Sequence, residues 1–156
     1  MTLPFQFELP HPHSIDISVS NADIDAYKHV NNSVYVVWCD QTAWSHSAAL
    51  GLPIERCLEL DRGMAVIRTL IKYERPALLG DALQSATWIL PATSRLCVKR
   101  RFQIVRPSDG LTLARAEVEY ACIELSTGRP VRWPPEFKRY ATEPDVVAAL
   151  TTLSAI

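Results

Sequence analysis

A helix that is apolar on nearly every side must be wrapped by the rest of its protein, and the stretch from Ser33 to Leu50 encodes such a helix. At roughly 100° per residue, Val34, Tyr35, Val37, Trp38, Cys39, Ala43, Trp44, Ala48, Ala49 and Leu50 spread nearly all round its axis. Asp40, Gln41, His46 and Ser47 are its polar exceptions. Asn32 or Ser33 is the expected N-cap, Gly51 lies past the end and Pro53 beyond it. Burial on most sides is expected.

Elsewhere the hydrophobic rhythm has a period of two, which is the strand signal. Ile15, Ile17 and Val19 alternate with Ser14, Asp16, Ser18 and Ser20. After a connection over residues 52–63, strands are expected over Met64–Glu74, Ala82–Leu90, Arg95–Arg106 and Leu111–Leu125, with a last short one over Arg129–Trp133. Ala114, Ala116, Val118, Tyr120 and Cys122 share one face of the longest strand, and Pro107-Ser108-Asp109-Gly110 is a strong hairpin turn. Pro134-Pro135 opens a helical turn, and Asp145–Leu153 reads as a helix within a C-terminal tail over residues 142–156. Residues 1–13 form an extended lead-in. With 156 residues, no repeat and no linker, the chain makes one α+β domain. The expected architecture is an antiparallel sheet of about five strands wrapped around one long central helix, with a second subunit completing the helix's cover.

A net charge of -1 and a pI near 6.4 give no general attraction to nucleic acid or an anionic membrane. The N-terminus lacks the basic start and apolar run of a signal peptide, so a cytoplasmic location is expected. Cys39, Cys57, Cys97 and Cys122 are scattered and read as reduced, mostly buried thiols. His11 and His13 have no accompanying ligand cluster, and no metal site is expected.

The chemistry concentrates just ahead of the helix. Asp23-Ile24-Asp25-Ala26-Tyr27-Lys28-His29-Val30-Asn31-Asn32-Ser33-Val34-Tyr35 holds two carboxylates, an imidazole, two phenols and two amides within thirteen residues. A buried segment does not carry so many polar groups without partners. Such a segment is either a reaction centre or an elaborate helix cap.

Asp23-Ile24-Asp25 followed by His29-Val30-Asn31-Asn32, then Tyr35, Trp38 and Asp40, resembles the Asp-x-Asp-x-x-Gly-His-Val-Asn-Asn signature of hotdog-fold acyl-CoA thioesterases of the 4-hydroxybenzoyl-CoA thioesterase class. Tyr73-Glu74-Arg75-Pro76-Ala77, Gly80-Asp81, Asp109-Gly110 and Thr127-Gly128-Arg129-Pro130 resemble later segments of that family, so the likeness runs from about Ser14 to Tyr140. It implies a hotdog fold, assembly as a homodimer or homotetramer, and hydrolysis of an acyl-CoA thioester without a metal or organic cofactor. Asp25 stands where the family has its catalytic carboxylate. Lys28 replaces the glycine many members carry, so the backbone there must avoid positive φ or tolerate it at a cost.

Thioester hydrolysis needs a nucleophile at the carbonyl carbon and donors where charge develops on oxygen. Asp25 suits the first task as a direct nucleophile or as a base for water. The N–H groups of Lys28 to Val30, at the positive end of the helix, suit the second. His29 and Asn32 are expected to fix the loop through side-chain hydrogen bonds, and Asp40 is the reserve carboxylate. Tyr27, Tyr35 and Trp38 are candidate acyl-pocket walls. Arg100 and Arg129 are candidate ligands for CoA phosphates. His46-Ser47 is not a catalytic pair, because adjacent helix residues diverge by roughly 100°. Two rivals remain: a hotdog enoyl-thioester hydratase or dehydratase, against which the Asp-x-Asp and His-Val-Asn-Asn pattern speaks, and a non-catalytic acyl-thioester binding module, against which Asp25 speaks.

Overall fold

The computed structural model describes residues 5–156. The first four residues of the lead-in lie outside the described residues. Five strands, β1 (His13–Ser18), β2 (Arg62–Tyr73), β3 (Ala82–Ile89), β4 (Cys97–Arg106) and β5 (Leu111–Glu124), form one antiparallel sheet in the order β1-β3-β4-β5-β2. The helices are α1 (Asn32–Ala49), α2 (Ile54–Glu59) and α3 (Pro144–Leu150), with 3-10 turns at Asn21–Asp23 and Pro135–Arg139. This is the expected α+β arrangement of one long helix on a five-stranded sheet.

α1 lies over the β1 and β3 half of the sheet. Its buried side is Tyr35, Trp38, Cys39, Thr42, Ala43 and Ser47, the i, i+3, i+4, i+7 spacing of a single stripe. Together with Phe102, Ile104, Ala114, Ala116 and Val118 from the inner sheet face, that stripe makes the main core. The shared face expected for β5 is therefore the buried one. Expected burial on most sides is corrected, however: Val36, Val37 and Trp44 are 42%, 51% and 45% exposed. Within one chain the sheet covers one side of the helix, and the opposite apolar flank has no cover among the described residues.

Other boundaries differ for local reasons. Asn31, not Asn32 or Ser33, caps α1, because its Oδ1 accepts from both the N–H and the hydroxyl of Ser33, at 2.9 and 2.7 Å. Gly51 ends the helix at φ +78° as its position predicts. The connection over 52–63 contains α2, started by Pro53. Arg129–Trp133 is not a strand; it makes one bridge, Pro130 to Ile123, and is otherwise held by backbone bonds such as Val131 N–H to the Cys122 carbonyl. The four cysteines are free, and burial pushes the Cys39 thiol up to about 12.

The lead-in is more than a tether. Phe7 and Leu9 pack with Trp88, Val146 and Leu150 to cover the outer face of the sheet, and Glu8 reaches Arg101 at 2.6 Å. This explains how β3 and β4 are buried on both faces.

Candidate active site

The loop between the first 3-10 turn and α1 closes on itself. Asp25 N–H donates to the His29 carbonyl at 2.8 Å, Asn31 N–H to the Asp23 carbonyl at 2.8 Å, and Lys28 N–H to the Asp25 carbonyl at 3.0 Å. Asp23 braces the entry by accepting from the Ser20 N–H and hydroxyl, at 2.8 and 2.9 Å. The loop is then pinned to the sheet side: Val30 N–H donates to the carbonyl of buried Ala77 at 3.0 Å, and Ala77 N–H donates to the Tyr35 hydroxyl at 2.9 Å.

Closing the ring requires Lys28 to adopt φ +65°, the left-handed conformation the missing glycine would have taken freely. That conformation costs an L-residue roughly 1–2 kcal/mol, and glycine's greater chain entropy offsets about 0.5–1 kcal/mol of the relief it would bring. Lys28→Gly is therefore expected to stabilise the fold by about 0.5–1 kcal/mol in urea unfolding, while Lys28→Val destabilises it. Equal stability of all three proteins would contradict the strain.

Asp25 is half-buried on the wall of an open cleft, which it shares with His29, Asn32, Tyr35, Tyr73, Glu74 and Arg75. Its Oδ1 accepts from Tyr27 N–H at 2.8 Å, so the carboxylate is oriented. Tyr73 closes the cleft from the end of β2, its hydroxyl donating to the Asn32 carbonyl at 2.9 Å and its ring meeting Tyr35 edge-on at 5.2 Å. Burial raises the Tyr35 and Tyr73 phenols above their usual value, so both remain neutral at physiological pH.

The expected site residues separate into three groups. Asp25, Tyr27, His29, Val30, Asn32 and Tyr35 do meet at one cleft, although Tyr27 is 84% exposed at its mouth. Among the backbone donors, those of Lys28 and Val30 are engaged by the Asp25 and Ala77 carbonyls, which leaves His29 N–H as the one of the three without a partner among the described residues. The side chains of His29 and Asn32 make no hydrogen bond among the described residues; Asp23, Asp25 and Asn31 hold the loop instead.

Asp40, Trp38, Arg100 and Arg129 fall elsewhere. Asp40, two turns along α1, lines a different pocket with Trp44 and Arg100. Trp38 is 5% exposed within the core, packed against Tyr35. Arg100 is 3% exposed beneath α1 and cannot reach a phosphate at the surface. Its neighbour Arg101 is buried on the other face against Glu8 and Glu117. Arg129 is exposed, but it sits by Glu124 and hence by Arg62 at the start of β2. The cleft lies at Tyr73, the other end of that strand, about 36 Å away at 3.3 Å per residue.

Four cleft residues, Tyr73, Glu74, Arg75 and Pro76, went unassigned in the sequence. They belong to the Tyr-Glu-Arg-Pro-Ala segment, whose only signal was the family resemblance. Arg75 is exposed and its side chain has no ion pair or hydrogen bond among the described residues. Among the described residues no group of His, Cys, Asp and Glu side chains could hold a metal, and no helix is long and apolar enough to cross a membrane.

One long helix across a five-stranded antiparallel sheet, with a polar loop at the helix start, defines the hotdog fold. The chain belongs to the Thioesterase-like superfamily, whose family model matches residues 19–141. It is similar to the long-chain acyl-CoA thioesterase FadM of Escherichia coli (strain K12), with 24% identity over 126 residues, 78% of this chain and 91% of that protein. In structure it is similar to Slr0204, a 1,4-dihydroxy-2-naphthoyl-CoA thioesterase from Synechocystis, with TM-score 0.75 and 20% identity over 83% of this chain and 95% of that one. SAV2348 from Staphylococcus aureus, solved in complex with CoA, aligns with TM-score 0.77 and 17% identity over 95% and 97% of the two chains.

Proposed function

We propose that the protein is an acyl-CoA thioesterase that hydrolyses its substrate to free acid and CoA at the Asp25 cleft. The observation that carries this reading is an oriented, half-buried carboxylate on the same cleft as His29, whose N–H is unengaged in the loop just ahead of α1. The thioester carbonyl lies between them. Asp25 attacks the carbon or deprotonates the attacking water, and the His29 N–H, aided by the helix dipole, receives the charge developing on oxygen. The side chains of His29 and Asn32 face the substrate rather than the loop. Arg75 at the rim is the cation for the CoA phosphates, in place of Arg100 and Arg129. Asp40 takes no part in the chemistry. Thiol release from a panel of acyl-CoAs tests the reading: hydrolysis is expected, and crotonyl-CoA hydration without thiol release would overturn it in favour of the lyase.

The working unit is a homodimer. β2 is an edge strand whose Val66, Ile67, Leu70 and Tyr73 are 53%, 56%, 40% and 42% exposed, beside the uncovered Val36, Val37 and Trp44 of α1. A long apolar edge left open is an aggregation template, and a second copy of the same edge covers it with a closed two-fold contact. Light scattering is expected to give a dimer for the wild type and a monomer for Ile67→Asp. A monomeric wild type would contradict this.

A further inference from the structure

The Asp25 cleft and a second pocket under the far half of α1 lie along one seam. α1 runs antiparallel to β2, so the helix start meets the strand end at the Tyr73–Asn32 bond, and the second half of the helix faces the strand start across the pocket of Asp40, Ala43, Trp44 and Ser47 with Met64 and Val66. Because α1 packs over β1 and β3, its side toward β2, where Val36 and Trp44 are exposed, is uncovered within one chain. Asn32, Val36, Ala43 and Ser47 follow one another along that side at i, i+4, i+11 and i+15. The pocket at its far end is lined mostly by apolar side chains, among them Ala43, Trp44, Met64, Val66 and Val98.

Arg100 stands in that pocket. Its side chain is almost wholly buried, a position that disfavours an uncompensated cation. Its Nη1 donates to His46 Nδ1 at 2.8 Å and its Nη2 to Ser47 Oγ at 3.0 Å, and the guanidinium lies 5.5 Å from the Tyr140 ring centroid. Those partners are neutral: burial and the adjacent Arg100 lower His46 to about 3, and burial raises Tyr140. No carboxylate contacts Arg100 among the described residues. Two of its five N–H groups donate to His46 and Ser47, a further contact reaches the neutral Tyr140 hydroxyl, and no anion answers its charge. Asp40 stands exposed on the pocket rim, where water screens it.

We propose that this pocket receives the far end of the acyl group and that Arg100 binds a carboxylate there, so that the preferred substrates are ω-carboxyacyl thioesters, the CoA monoesters of long dicarboxylic acids. This rests on hydrolysis at the Asp25 cleft. A chain laid along the seam supplies the anion that the protein itself does not. From Asn32 to Trp44 the helix advances about 18 Å. An extended chain gains roughly 1.2 Å per bond, so about 15 bonds separate the reacting carbonyl from the guanidinium, the span of a long-chain dicarboxylate.

The test compares matched pairs, dodecanedioyl-CoA with dodecanoyl-CoA and hexadecanedioyl-CoA with hexadecanoyl-CoA, on wild type, Arg100→Met and Arg100→Lys. The wild type is expected to favour the ω-carboxy member in kcat/KM by about 10- to 100-fold in at least one pair, the worth of a charge-assisted hydrogen bond. Arg100→Met should abolish that ratio and Arg100→Lys should retain part of it. A wild type that hydrolyses both members and favours the unsubstituted one throughout, or a ratio unchanged in Arg100→Met, overturns the proposal, and the wild-type ratio alone decides if the variants do not fold. Calorimetric binding of dodecanoate keeps the two readings separate. It should weaken about tenfold in Arg100→Met whether or not any thioester is hydrolysed, and equal binding would overturn the Arg100 assignment while leaving Asp25 catalysis untouched.

Discussion

Asp25→Asn is expected to lower kcat for acyl-CoA hydrolysis by about a thousandfold, within the range of roughly 10²–10⁴ measured for removing a positioned acid–base group. The substitution is nearly isosteric. Asparagine Oδ1 can still accept from Tyr27 N–H at the 2.8 Å contact that orients the aspartate, so the loop, its backbone ring and the His29 N–H stay in place. What disappears is the charge that attacks carbon or takes a proton from water. KM should therefore move little, and unfolding free energy should stay within about 0.5 kcal/mol of wild type. A loss of activity accompanied by a large loss of stability would instead mark Asp25 as a structural residue of the turn.

Glu8→Gln carries the largest expected effect on stability. Its two carboxylate oxygens accept from Arg101 Nε and Arg115 Nε, both at 2.6 Å, and the Glu8 and Arg101 side chains are 9% and 5% exposed. Breaking a buried pair from one side strands the other charge, at about 3–5 kcal/mol. Arg101 keeps Glu117 and Arg115 keeps Glu74, so the lower end, about 3 kcal/mol, is expected. For a domain of this size that is a fall in Tm of roughly 6–12 °C, read by calorimetry. A change below about 0.5 kcal/mol would mean that the segment from Phe7 to Leu9 contributes little to the sheet it covers.

What the sequence disclosed follows from the range of the forces involved. Alternation along β5, the Gly51 stop and the Asp109-Gly110 turn are local, and each appears where its residues predict. The dense loop ahead of α1 was also legible, and its Asp25, His29 and Asn32 do line one cleft. Long-range placement was not legible. Consecutive Arg100 and Arg101 resemble a solvated basic patch in sequence, yet the pleat sends one beneath α1 and the other against Glu8, 93 residues away. Asp40 shares a helix with Asn32, but about two turns separate them, and they line different cavities. The expected burial all round α1 assumed cover that the described residues do not supply, since Val36, Val37 and Trp44 stay exposed.

Free-thiol release from one long-chain acyl-CoA by wild type, Asp25→Asn and Asp40→Asn separates the two carboxylates. Turnover by the wild type, near-complete loss in Asp25→Asn and retention of most activity in Asp40→Asn are expected. Full activity in Asp25→Asn together with loss in Asp40→Asn would contradict catalysis by Asp25 and move the chemistry to the pocket at the far end of α1.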